Sequence, residues 1–229
     1  MPSAAEWQVL ALAARIAAAA VLLSFLPALL LAWVLARRSF RGKALLQGFI
    51  MLPLVMPPVV TGYLLLTFLG RSSFIGRSWF ALTGHHLAYS TTACVLAAAV
   101  VGFPLLVEAI RLSLLGVDPR LESVSRSLGR GPTFTFIRIT LPLALPGLLG
   151  GAVLSFTRAL GEFGATMIFA GNIEGETRQI PLAVYTLLNL PGSETAVMRL
   201  TLLSIALSLS ALLFMAWLTA RHRQRSGRS

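Results

Sequence analysis

Of the chain's 229 residues, 56% are hydrophobic and only 12% are charged, about half the ~25% charge of an average soluble domain. Charge-free runs at 16–36, 44–70, 87–107, 139–157 and 200–220 each approach or exceed the roughly 20 residues that cross a bilayer core as a helix, and five of them in so short a chain exclude a soluble globular protein. The net charge of +11 is dispersed over alternate connections rather than gathered on one polar face, which argues against nucleic acid as a partner.

The first predicted crossing covers about 9–36, with Arg15 near one end, where its long stem can snorkel. Its apolar run is too long for the core of a cleavable leader and its cations follow the run, so a retained span is expected. The second crossing, about 44–69, contains Pro53, Pro57 and Pro58 in PLVMPPVVTG. Proline removes a backbone donor, so a kinked or partly unwound crossing is expected here, and Pro57 and Pro58 become candidate pathway or gate residues. The third crossing, about 86–110, begins at His85 and His86 and holds Cys94 as a small buried residue.

The connection that follows is VDPRLESVSRSLGRGPTFTFIRITLPLALPG. Asp118 is placed to cap a helix, Pro119 to open it and Gly129 to end it. The predicted helix, about 119–128, carries Leu121, Val124 and Leu128 on one face, with Arg120 and Arg126 on others. So short a helix is marginal alone and needs a surface to cover it; that surface is either the chain's own membrane helices or a groove in a soluble partner.

The fourth crossing, about 134–158, should be bent by Pro142 and Pro146, with Gly147 and Gly151 forming a face for close helix approach. Arg158 and Glu162 lie one turn apart. The reading preferred is a mutual pair that fixes the helix end; the alternative groups them with Gly164 and Thr166 as pathway residues. Within 159–196, the stretch 179–193 contains Pro181, Asn189, Pro191 and Gly192 and is short for a span, so a re-entrant or interfacial helix is expected, with a sixth crossing as the alternative. The fifth crossing covers about 197–220.

Thirteen of the nineteen Lys and Arg lie at 37–43, 111–138 and 221–228. Cationic connections stay on the cytoplasmic side, which puts those segments inside and the N-terminus outside. No phosphate loop is present, since the lone Lys43 is followed by alanine. His85, His86 and His222 lack carboxylate or cysteine neighbours at ligand spacing, so neither metal nor catalytic chemistry is expected. A secondary transporter would show repeats and buried coupling carboxylates, and an ion channel a filter loop; no repeat or filter is visible, and of the carboxylates only Glu108 and Glu162 approach the membrane.

The connection at 118–142 resembles the cytoplasmic signature of importer-type ABC permeases, written E-A-A, three residues, Gly, nine residues, Ile-x-Leu-Pro. Anchored on Gly129, the second half matches at Ile139, Leu141 and Pro142. The first half departs: Ser123 stands at the glutamate position, Val124 and Ser125 at the alanines, and Glu122 lies one residue early. With PLVMPPVVTGYLLL, VGFPLLVEAIRLSL and GNIEGETRQIPLAVYTLL, nearly the whole chain is similar to the molybdate branch, whose sulfate and tungstate relatives carry strings like RALGEFGAT. The resemblance implies an all-α polytopic bundle of about five transmembrane helices of the type I importer kind, a single domain with its core at about 9–221. It also implies a coupling helix at about 118–130, with Glu122 contacting the docking surface. A homodimer is implied, with two ATP-binding subunits holding ATP and magnesium, and an extracytoplasmic oxyanion-binding protein. The chain itself would bind no cofactor, perform no catalysis and move molybdate by alternating access.

Overall fold

The computed structural model describes residues 3–226. Arg228 and the side chains of Arg221, His222, Arg223 and Arg225 lie outside the described part. Helix α1 (Ala4–Arg37) has 34 residues, about 51 Å, well beyond a ~30 Å hydrocarbon core. Ser3 and Glu6 start it as a reciprocal capping box, the Ser3 N–H reaching the Glu6 carboxylate at 2.6 Å and the Glu6 N–H reaching Ser3 Oγ at 3.2 Å.

Helices α2 (Lys43–Val55) and α3 (Pro58–Leu69) form the expected broken element, turning by 109° between them. Pro57 pushes Met56 into extended backbone (ψ 144°) and Pro58 does the same to Pro57 (ψ 131°), because each proline ring disfavours the helical conformation of the residue before it. The lone Pro53 is tolerated inside α2, with Leu52 still helical before it, so the break falls where two prolines are consecutive.

Helix α4 (Phe74–Thr83) is an addition to the sequence reading. Ser73 caps it through the Gly76 N–H at 2.9 Å, and Gly84 ends it at φ +73°. Helix α5 (Thr91–Leu115) is the central span, with Ala93, Cys94, Ala97, Leu106, Ile110 and Leu114 all fully buried. After α6 (Pro119–Ser127) and the single turn α7 (Pro132–Thr135), the chain enters a wide π-helical turn at Phe136–Thr140 that runs straight into α8 (Leu141–Leu160). The Leu141 N–H reaches back five residues to the Phe136 carbonyl, immediately before Pro142, which has no N–H to offer.

Two layers of small residues hold the spans together. Ala13, Ala17, Ala20, Ser24, Ala28 and Ala32 make a buried stripe along α1. On α8, Gly147 and Gly151 meet Ser113 and Ala109 of α5, and a Cβ at Gly102 of α5 would stand 2.6 Å from Ser155 Oγ. The predicted close-approach face is therefore present.

The region 159–196 resolves into α9 (Gly164–Phe169) and α10 (Ile180–Leu188), whose nine residues reach only about 14 Å and do not cross. Helix α11 (Glu194–Ser226) completes the bundle. Among the described residues there are four helices long and apolar enough to span, and five spans if the bent α2–α3 pair counts as one. No sixth helix among them is long and apolar enough to span.

A candidate coupling helix and a broken transmembrane element

The short helix α6 is built as its sequence dictates. Asp118 accepts the Arg120 N–H at 2.8 Å, Pro119 occupies the first position, and Gly129 turns left-handed at φ +77° with its N–H on the Arg126 carbonyl at 3.0 Å. Ser123 Oγ returns to the Pro119 carbonyl at 3.0 Å and faces out.

Its orientation is inverted relative to an ordinary surface helix. Leu121 is 46% exposed, Val124 57% and Leu128 74%, while the polar Glu122 and Ser125 are buried. The apolar face does not fold back on the membrane helices, which removes that sequence-level alternative.

The inward side is polar and tightly bonded. The Glu122 carboxylate accepts from Arg37 Nη2 at 2.6 Å, from Thr140 Oγ1 at 2.8 Å and from Arg126 Nη2 at 3.4 Å. Ser125 Oγ lies 2.9 Å from Thr135 Oγ1. Within the chain, Glu122 faces inward and pins α6 to the end of α1 and to the π turn. The one-residue offset from the signature glutamate is the reason, since it rotates the carboxylate by about 100° around the helix. Arg37, Thr135 and Thr140 carry no local signal for this role, because their partners lie 85, 10 and 18 residues away in the chain. Ile139 lies in the π turn, half-buried, followed by half-buried Leu141 and exposed Pro142.

The other candidate residues gather where α9 crosses α3. A Cβ on Gly164 would lie 2.8 Å from the Pro58 side chain, and one on Gly62 would lie 2.7 Å from the Ala165 carbonyl. The structure thus brings Pro58 and Gly164 together at the break, with Pro57 next in the chain and Thr166 two residues further along α9. Thr166 and Thr61 are buried, and neither hydroxyl has a protein partner.

Arg158 and Glu162 form the i, i+4 pair at 2.8 Å, and Glu162 also accepts the Ala165 N–H at 2.8 Å. With Glu162 1% exposed and its oxygens occupied within the chain, this geometry is that of a structural clasp from α8 to α9. At the same end of the bundle, Arg199 of α11 bonds Glu6 of α1 at 3.2 Å. Among the described residues, no group of three or more metal-ligating side chains occurs.

The model of the family described as binding-protein-dependent transport system inner membrane component matches residues 28–224. The chain belongs to that family. It is 51% identical over 226 residues to the molybdenum transport system permease protein ModB of Escherichia coli K12, covering 97% of each chain. It is 49% identical over 216 residues to the ModB of Haemophilus influenzae, covering 94% of each. A crystal structure of a bacterial ABC transporter that imports the polysaccharide alginate superposes with a TM-score of 0.72 at 16% identity, over 96% of this chain and 80% of that one. The fold is that of the ABC importer permeases, and the family member described here is a multi-pass inner-membrane transport protein.

Proposed function

We propose that the chain is the membrane-spanning subunit of an ATP-driven molybdate importer, assembled as a homodimer. Two ATP-hydrolysing subunits dock on α6 from the cytoplasm, and an extracytoplasmic binding protein delivers the oxyanion at the opposite end. The observation that carries this reading is the exposed row Leu121, Val124 and Leu128 on a helix whose polar side is locked inward. A helix held from behind and apolar in front is built to be gripped by another protein. Likeness to the molybdenum permeases over nearly the full length supports the cargo.

In this reading the chain performs no chemistry and binds no cofactor; ATP and magnesium belong to the partner. Closure of the ATPases pulls α6, the Glu122 anchor passes the pull to α1 and to the π turn at the foot of α8, and the membrane helices rock between inward- and outward-open states. Cationic connections at 37–43, 111–138 and 221–228 support a cytoplasmic C-terminus and an outer N-terminus.

The test is co-expression of the chain with its ATPase, followed by co-purification and uptake in reconstituted vesicles. Leu121→Asp with Val124→Asp should insert normally yet lose both ATPase capture and uptake. Molybdate should drive uptake ahead of sulfate. Normal capture by the doubly substituted chain sinks the docking face, and sulfate-driven transport without molybdate transport sinks the cargo. Reporter fusions at Ser73, Arg120 and Ser226 should read outside, inside and inside; a fusion near Pro191 reading inside overturns the orientation.

A further inference from the structure

Behind α6 lies a partly open cleft of about 300 Å³, bounded by the end of α1, the inner face of α6 and the π turn. Three guanidiniums line it, those of Arg37, Arg38 and Arg126, against the single carboxylate of Glu122. That carboxylate is already balanced by Arg37 at 2.6 Å and by the Thr140 hydroxyl at 2.8 Å. The remaining donors are in excess. Arg126 touches Glu122 only at 3.4 Å, with its side chain 60% exposed. Arg38 rests over the Trp33 ring, 5.6 Å from its centre, with no carboxylate on it among the described residues. Thr135 and Thr140 also line it, their hydroxyl protons already given to the Gly131 carbonyl and to Glu122.

We propose that this cavity binds a tetrahedral oxyanion group. Planar guanidinium forks match phosphate-type oxygens in geometry as well as in charge. The volume admits one such group together with several waters and is at the lower limit for a larger organic ligand. Trp33 is an aromatic of the kind found at headgroup level, so the group can arrive as the phosphate of an anionic lipid or as a free inorganic oxyanion. In either form it would brace α6 against α1, at the joint through which the ATPase acts.

The two sources are separated by two arms on the purified full-length protein in detergent micelles. One arm measures equilibrium binding of radiolabelled phosphate and sulfate. The other measures retention of phosphatidylglycerol against phosphatidylcholine by native mass spectrometry. Arg38→Gln and Arg126→Gln are the probes, since both side chains reach the cavity from its rim. Arg41→Gln, an exposed cation at the same end but outside the cavity, is the control. Saturable binding in one arm is expected, weakened roughly tenfold by either probe and unchanged by the control. Binding in the phosphate arm identifies a free oxyanion; preferential phosphatidylglycerol retention identifies a lipid headgroup. Absence of saturable binding in both arms, binding that survives both probes, or an equal loss with Arg41→Gln overturns the site.

Discussion

Replacing Glu122 by Gln keeps the shape of the side chain and removes only its charge. The carboxylate now meets Arg37 at 2.6 Å and Thr140 at 2.8 Å, with the two members of the ion pair 11% and 17% exposed. Removing one partner of a buried pair costs ~3–5 kcal/mol, and the residual exposure of Arg37 places the cost near the lower end, about 3 kcal/mol. That cost falls on α6 rather than on the whole bundle, because Glu122 and Ser125 are its buried attachments and its apolar side faces outward. A nine-residue helix has little stability of its own. Each 1.4 kcal/mol is tenfold in an equilibrium, so amide hydrogen exchange across 121–128 should accelerate by roughly 10²-fold, while α5 amides stay protected. Arg126→Gln, a contact at 3.4 Å with a 60% exposed side chain, should change the same rates only a few-fold. Exchange in Glu122→Gln within about threefold of the unsubstituted protein would refute the anchoring role.

Three further outcomes are expected. Gly62→Val drives a side chain into the Ala165 backbone and should lower stability in thermal unfolding by about 2–3 kcal/mol, whereas Gly48→Val, with open space around it, should leave the midpoint nearly unchanged. Pro57→Ala with Pro58→Ala should open the 109° turn, lengthening the span from Lys43 to Leu69 from about 22 Å to about 38 Å for two rigid arms, as read by spin-label distances, with transport impaired at normal insertion. Gly129→Val forces a β-branched residue to φ +77°, so co-purification with the ATPase should fall while membrane insertion is retained.

The spans were legible because bilayer thickness demands long apolar runs, although α5 starts at Thr91, where Ser90 supplies the cap, rather than at His85 and His86. The Pro57–Pro58 break was legible because proline acts on its immediate neighbour. The ends of α6 were legible for the same reason: Asp118, Pro119 and Gly129 act within one turn. Gly147 and Gly151 announced a close approach, although not that Ser113 and Ala109 would meet them. The direction of α6 was not legible. Which face turns inward depends on Arg37, 85 residues away, and no local pattern encodes that pairing. The capping box of Ser3 and Glu6 and the helix from Ser73 to Gly84 did carry local signals, an S-x-x-E spacing and a Ser–Gly bracket, but both are short features beside long apolar runs.

The glycine, alanine and serine contacts between α5 and its neighbours have a mechanical meaning. Where backbones touch with no long side chains between them, there is nothing to repack when one helix slides, so a small displacement becomes a collision. Helices α1, α5 and α8 are therefore best regarded as one stiff beam along their shared length. Compliance belongs to the places where the helical ladder is already interrupted: the Met56–Pro57 junction, the π turn at Phe136–Thr140 and the short link from Leu160 to Gly164. Two of these three joints meet at the α3–α9 crossing beside Pro58 and Gly164, and the third sits directly above α6. Force applied at α6 enters a lever whose pivots lie at its two ends, so a modest tilt at one end is delivered at the other without being absorbed on the way.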